Sequence, residues 1–222
     1  MQKPIYETAL FGALLSFSGG LMDAYAYLFV DPIFSNAQTG NNLLFSVRLF
    51  ERNFSEALRY FLPVAFFAIG IALSNTQRQS ARLRDWRTLC LLEEILLMSM
   101  VAFFPVKWNY ITDTVLSLAC GIQVEAFRKI EDNAVATTMC IGNFRSGIHA
   151  LTEKNFRSDA AVRNTARTTF GLIGSFILGA VTGGVGLKYL HAYTILISPV
   201  VLLLCLWLLR HNAVTDGGES GA

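Results

Sequence analysis

The chain has 222 residues, of which 53% are apolar and only 15% charged, whereas a soluble domain carries about a quarter charged residues. Its apolar content, roughly 118 residues, approaches six membrane-spanning helices of ~20 residues each. The net charge of +2 is too small to draw a nucleic-acid partner, and the Arg side chains flank apolar runs as topology signals do.

In chain order, the first apolar run covers 9–30. Lys3 ahead of it and Ala24-Tyr25-Ala26 near its end imitate a secretory signal with its cleavage site. The run is long, holds Asp23 just before that site, and recurs later in the chain, so it reads as a retained span. Runs at 60–76, 88–104, 111–127, 168–187 and 190–209 read as five more spans. Between them lie 33–50 and 134–151, each with a Gly-Asn pair and further polar residues, among them Ser35, Asn36, Gln38 and Thr39 in the first, Thr137 and Thr138 in the second. Such backbone survives at membrane depth only where protein or a water-filled cavity satisfies its N–H and C=O groups. These two segments are either weak spans or re-entrant half-helices. Cys90, Cys120, Cys140 and Cys205 share no metal-type spacing, so no metal and no cofactor is expected.

Sliding the sequence on itself by 102 residues aligns Leu14–Ala57 with the second half without a gap. Nine of 44 positions are identical, among them Gly19 with Gly121, Gly40-Asn41 with Gly142-Asn143, and Asn53-Phe54 with Asn155-Phe156; chance gives roughly three. Asp23 meets Glu125. If the polar segments do not cross, each half has three spans, an odd number, and the second half is inserted upside down. Under that arrangement 13 Lys and Arg, including Arg78, Arg82, Arg84 and Arg87, share one side, against five on the other. Eight spans would strand that Arg cluster outside. The positive-inside rule therefore favours six.

The expected fold class is an all-α membrane protein with six transmembrane helices plus two polar half-helices or re-entrant segments, built from two inverted repeats. It forms one transmembrane domain, with repeat one at about 9–104, repeat two at about 111–209, and a cytoplasmic polar tail at 210–222. Both termini are expected in the cytoplasm.

Gly19-Gly20-Leu21-Met22-Asp23-Ala24, followed by Phe34 and Thr39-Gly40-Asn41, resembles the YoaK-type family of bacterial membrane proteins of unknown function. The similarity extends through Gly121-Ile122-Gln123 and Gly142-Asn143. Two positions depart from the family pattern: Val124-Glu125-Ala126 stands where an Asn-Ala pair is common, and Ile141-Gly142 where a second Thr-Gly is common. The resemblance implies a multi-spanning protein of the bacterial inner (plasma) membrane and supplies no substrate.

Asp23 and Glu125 are the first functional candidates, because an ionisable group within a span is costly and usually faces a partner, a cavity or a proton path. Glu125 has a plainer reading too, as the partner of Arg128 three residues on. Thr39, Gly40, Asn41, Gly142 and Asn143, with Gln123, are the second group: exposed N–H groups at a half-helix start bind anions or polar groups, and Asn both donates and accepts. Gly and Asn also serve close helix contacts, a purely structural use. No nucleophile–base pair or metal motif suggests an enzyme. The leading expectation is a small permease for a polar or anionic solute, with proton coupling through Asp23 or Glu125. The alternative is a non-transporting scaffold or partner-binding subunit. The lipid bilayer is the expected environment, and assembly into a homo-oligomer stays open.

Overall fold

The computed structural model describes residues 3–30, 33–80 and 85–218, without the side chains of 106 and 212–218. Arg82 and Arg84 of the basic turn lie outside the described residues.

The chain is all-α apart from one two-residue hairpin. Helix α1, Ala9–Tyr25, continues as a π-helical turn over Ala26–Val30. It is followed by α2 (Gln38–Phe50), α3 (Phe54–Gln79), α4 (Trp86–Val101) and α5 (Asn109–Ala126). The hairpin pairs β1 (Lys129–Ile130) with β2 (Asn133–Ala134). Then come α6 (Ile141–Thr152), α7 (Ala160–Leu190) and α8 (Ile197–Gly218). The backbone of α8 stays helical well into the segment read as a polar tail. The spans read from hydropathy fall on α1, α3, α4, α5, α7 and α8. In the two polar segments only 38–50 and 141–152 are α-helical.

Start signals explain several boundaries. Thr8, Asn53 and Asp159 each accept a backbone N–H from the first turn of α1, α3 and α7, which satisfies a donor the helix itself leaves orphaned. Helices α2 and α6 begin without any side-chain cap.

The long helices alternate in direction. Tyr6, Arg78, Trp86 and Glu125 meet around one cavity, so α1 and α4 start where α3 and α5 end. At the opposite end the Arg59 guanidinium lies 4.9 Å from the centre of the Tyr110 ring, joining the starts of α3 and α5. Phe103, just past α4, meets Tyr193, just past α7, there. Helices α2 and α6 diverge: Phe45 packs on Phe61 near the start of α3, while Arg145 and His149 of α6 line a hollow with Asn133 of the hairpin and Val162 of α7.

Two crossings hold the bundle, and they are built alike. On α1 and α7, Gly20 faces the Phe176 carbonyl and Gly179 faces the Phe17 carbonyl. On α5 and α3, Gly121 faces the Phe67 carbonyl and Gly70 faces the Leu118 carbonyl. A Cβ at any of these four positions would overlap the facing backbone. Small residues let membrane helices approach this closely. Gly12 packs instead against Ile130, whereas nothing packs over Gly171.

Burial is inverted relative to a water-soluble protein. Asn41, Gln123, Asn143, Glu94, Asp113 and Ser117 are buried, while Leu96, Ile177, Val181, Leu203 and Trp207 are exposed on helix exteriors. Hydrocarbon suits such a surface and water does not. Among the described residues three stretches are long and apolar enough to cross a bilayer: Ala9–Val30, Phe54–Gln79 and Ala160–His211. The last has 52 residues and holds α7 and most of α8 in succession. The protein is a helical membrane protein.

Candidate functional site

Two non-helical turns, 33–37 and 135–140, fold against α1 and α5. Asn36 lies on α1: its Nδ2 donates to the Gly19 carbonyl at 3.2 Å and its backbone N–H donates to Asp23 Oδ1 at 3.3 Å. The Ser117 hydroxyl of α5 donates to the Ser35 carbonyl at 3.2 Å. In the second turn, Gln123 Nε2 donates both to Thr137 Oγ1 at 2.8 Å and to the Leu15 carbonyl at 3.1 Å. Each turn thus takes bonds from side chains at the centre of the bundle.

The paired asparagines explain how the turns keep their shape. Asn41 Nδ2 donates to the Phe34 carbonyl at 2.7 Å, and Asn41 Oδ1 accepts the Phe34 N–H at 3.4 Å. Asn143 does the same to Ala136, at 2.9 and 3.4 Å. A side-chain amide carries one donor and one acceptor in the geometry of a peptide group, so each Asn clamps the residue seven places before it. The clamped positions are again 102 apart. Both amides also bond within their own segments, to Gln38 Oε1 and to the Met139 carbonyl.

The clamped turns and the helix starts they lead into line an open-sided cavity of about 530 Å³, with Ala37, Thr39 and Ile141 exposed at its mouth. Its walls are 36–39 on one side and 138–141 on the other, closed by Asp23 and Phe176. Helices α2 and α6 both start beside this space without a side-chain cap, so the positive ends of their dipoles lie next to it; in α2 the Gln38 and Gly40 N–H groups already donate to the Asn36 and Ala37 carbonyls. Among the described residues Asp23 is the only charged side chain of the lining. Asn36 Oδ1, on a residue only 2% exposed, has no hydrogen-bond partner among the described residues. Asp23 also sits just ahead of the π-helical turn of α1, a distortion frequent at functional sites.

Of the residues expected from sequence, Asp23 and Thr39 line this cavity. Gly40 packs under the Phe34 ring, and Gly142 has no neighbour within reach of a Cβ. Asn41 and Asn143 act one layer behind, as clamps. Gln123 is fully buried between the second turn and α1. Glu125 is not brought to Asp23: it lies 3.6 Å from Arg128 and lines a separate cavity of about 550 Å³ at the end of the bundle holding Arg78 and Arg87.

Sequence reasoning missed Asn36, Cys140 and Phe176, which come together only once the turns fold back. It also passed over Asp113, fully buried with neither carboxyl oxygen hydrogen-bonded, although an acid four residues into a helix inside an apolar run was a visible signal. Of the Glu93-Glu94 pair, Glu93 accepts a 2.6 Å bond from Gln77, and Glu94 is fully buried without a hydrogen bond.

No curated protein and no solved structure matches the chain. The family described as "Protein of unknown function (DUF1275)" matches residues 11–208, a stretch that contains both turns, both clamps and both glycine crossings. YoaK-type proteins are part of that family, and the chain belongs to it.

Proposed function

We propose that the protein is a small inverted-repeat permease for a small polar or anionic solute, which passes through the cavity at the two half-helix starts. The observation that carries this reading is the meeting of two uncapped helix N-termini and one carboxyl at a single open-sided cavity of the bundle. Broken helices that converge on a central site are the usual construction of inverted-repeat transporters.

Several features support the finer architecture. The clamps are 102 residues apart, the glycine crossings α1–α7 and α5–α3 share one pattern, and α2 and α6 leave the cavity toward opposite ends. At 13 and 12 residues, they rise ~18–20 Å, too short for a hydrocarbon core of ~30 Å. Helices α4 and α5, at 16 and 18 residues, rise ~24–27 Å and cross with the help of their flanking turns. Six spans then place both termini, and the basic end, in the cytoplasm. Asp23 is the carboxyl positioned to bind solute or a coupled proton.

Two experiments test this. Thiol labelling of Asn53→Cys and Asn155→Cys in intact cells reports opposite sides of the membrane if the halves are inverted; labelling from one side overturns the inversion. Purified protein in liposomes should catalyse flux of a small solute driven by its gradient or by pH. A broad panel of ions, polyols and amino acids giving no flux from folded protein would end the permease reading.

A further inference from the structure

The two walls of the cavity are alike in backbone and opposite in charge. On the α2 wall, Asp23 already accepts the Asn36 N–H, so a resident carboxylate occupies the place an incoming anion would take. Beside it Asn36 Oδ1 is an acceptor with no donor, and its orientation is set because the other end of the amide donates to the Gly19 carbonyl. A buried acceptor without a donor is costly; this wall calls for a ligand that donates, ideally a cation.

The α6 wall has no carboxyl. The repeat mate of Asp23, Glu125, is held at the rim beside Arg128. Helix α6 starts uncapped at Ile141, which lines the cavity. Free N–H groups at the positive end of a helix bind a carboxylate well. Between the walls, Phe176, Met139 and Ile141 supply apolar surface, and about 530 Å³ falls in the usual range for small-molecule sites.

The geometry points to a zwitterion as the solute: one ammonium against Asp23 and Asn36, and one carboxylate on the start of α6, as in an amino acid or a betaine. This inference rests on the permease reading and narrows it. A lone anion would stand near Asp23 and repel it, and a lone cation would leave the α6 donors unmet. A zwitterion adds no net charge to a site where one carboxylate faces two helix ends of about half a positive charge each.

The test uses the full chain in liposomes with counterflow of labelled neutral amino acids, β-alanine and glycine betaine. For the best substrate, the deaminated acid and the decarboxylated amine then compete for uptake at neutral pH. Both single-charge analogues should compete at least tenfold more weakly than the unlabelled zwitterion. Asp23→Asn should lessen discrimination against the deaminated acid by tenfold or more, and Ile141→Pro, which removes an N–H at the first helical position where proline is tolerated, should weaken competition by the zwitterion and the acid but not by the amine. Size-exclusion profiles of the two variants identify misfolding, in which case the wild-type competition series decides alone. Equal competition by either analogue, or flux limited to simple anions such as propionate and phosphate, overturns the zwitterion and leaves the permease standing. No flux of any probe overturns both.

Discussion

The turns at 33–41 and 135–143 are shaped by the same bonds and furnished with different chemistry. Each is held by an Asn that clamps the peptide group seven residues earlier, and each leads into an uncapped helix. Yet Asp23 stands over the first turn, while Glu125 stands away from the second at the rim of the bundle. The two turns share a scaffold and differ in their electrostatics. Backbone satisfaction inside a membrane leaves few solutions, so clamps and crossings persist; a charge at one wall of a cavity is free to change with what the cavity holds.

If the scaffold is truly equivalent in both halves, damage to it should be equally severe in both. Gly20→Val and Gly121→Val drive a side chain into the carbonyls of Phe176 and Phe67 respectively, and the facing helices cannot retreat without losing the crossing. Each variant is expected to lose more than nine-tenths of its monodisperse material in size-exclusion chromatography. Gly174→Ala, where nothing lies near the added Cβ, should be silent. A tolerated Gly121→Val beside a ruined Gly20→Val would break the equivalence.

The chemistry should behave in the opposite way. Asp23→Asn, at the cavity, is expected to reduce solute flux or its coupling at least tenfold, and Glu125→Gln, paired with Arg128 outside it, to change flux by less than twofold. Matched losses would mean that both carboxyls act, as a sequence-level symmetry suggests. This difference also marks how far the sequence could be read. The helices and their order were legible because apolar runs of span length have no other use, and the likeness of the two turns because a Gly-Asn pair stands in each, 102 residues apart. The use of the Asn residues was not legible. A donor–acceptor amide looks the same whether it faces a solute or a peptide group, and the residue it clamps is defined only when the turn is folded. Phe176 and Cys140 join the cavity through contacts across α7 and the second turn, which no local pattern announces. Asn36, read only as one polar residue among several, is the unpartnered acceptor.

The clamps themselves sharpen the comparison at a smaller scale. Asn41→Ala and Asn143→Ala each leave a buried N–H and C=O without their partner, at about 1–3 kcal/mol per group. Thermal unfolding in detergent should show a drop of several degrees for both. Asn41→Asp and Asn143→Asp keep the acceptor and lose the donor, and should fall by more than Ala does, because a carboxylate faces the carbonyls of Phe34 and Ala136. Unequal drops between the halves would mean that one turn is held mainly by its other bonds, those from Ser117 or from Gln123.

The smallest effect belongs to a device that only the second half has. The hairpin between α5 and α6 turns through Glu131 and Asp132, both at positive φ (50° and 69°), a conformation that non-glycine residues adopt at some cost. Ion pairs hold it: Lys3 lies 2.8 Å from both Glu131 and Asp132, and Lys129 lies 3.1 Å from Asp132 and 3.3 Å from Glu7. The hydrogen bond from Lys3 draws Glu131 below the usual glutamate range, and those from Lys3 and Lys129 draw Asp132 below that of aspartate. Asp132 first, then Glu131 for Lys3 and Glu7 for Lys129, hold the two ammonium groups above the usual lysine range. Depressed carboxyls contribute stability that is complete above their unfolded values, 4.5 and 3.8, and lost as pH falls through the lower folded ones. Raised lysines contribute stability that is complete below 10.5 and lost as pH rises through the higher folded ones. The network therefore acts in full across neutral pH and fails first on the acid side. Because these groups lie largely in solvent, salt screens them: the double variant Glu131→Gln, Asp132→Asn should lower Tm by only a degree or two at pH 7 and low salt. That gap should shrink as pH falls below 3.8 through the lower folded values, and also in 0.5 M salt, since only a charge effect responds to both. A gap that survives both conditions would assign the strained turn to packing of Ile130 against Gly12, and the contrast with the first half would then be one of shape, not of charge.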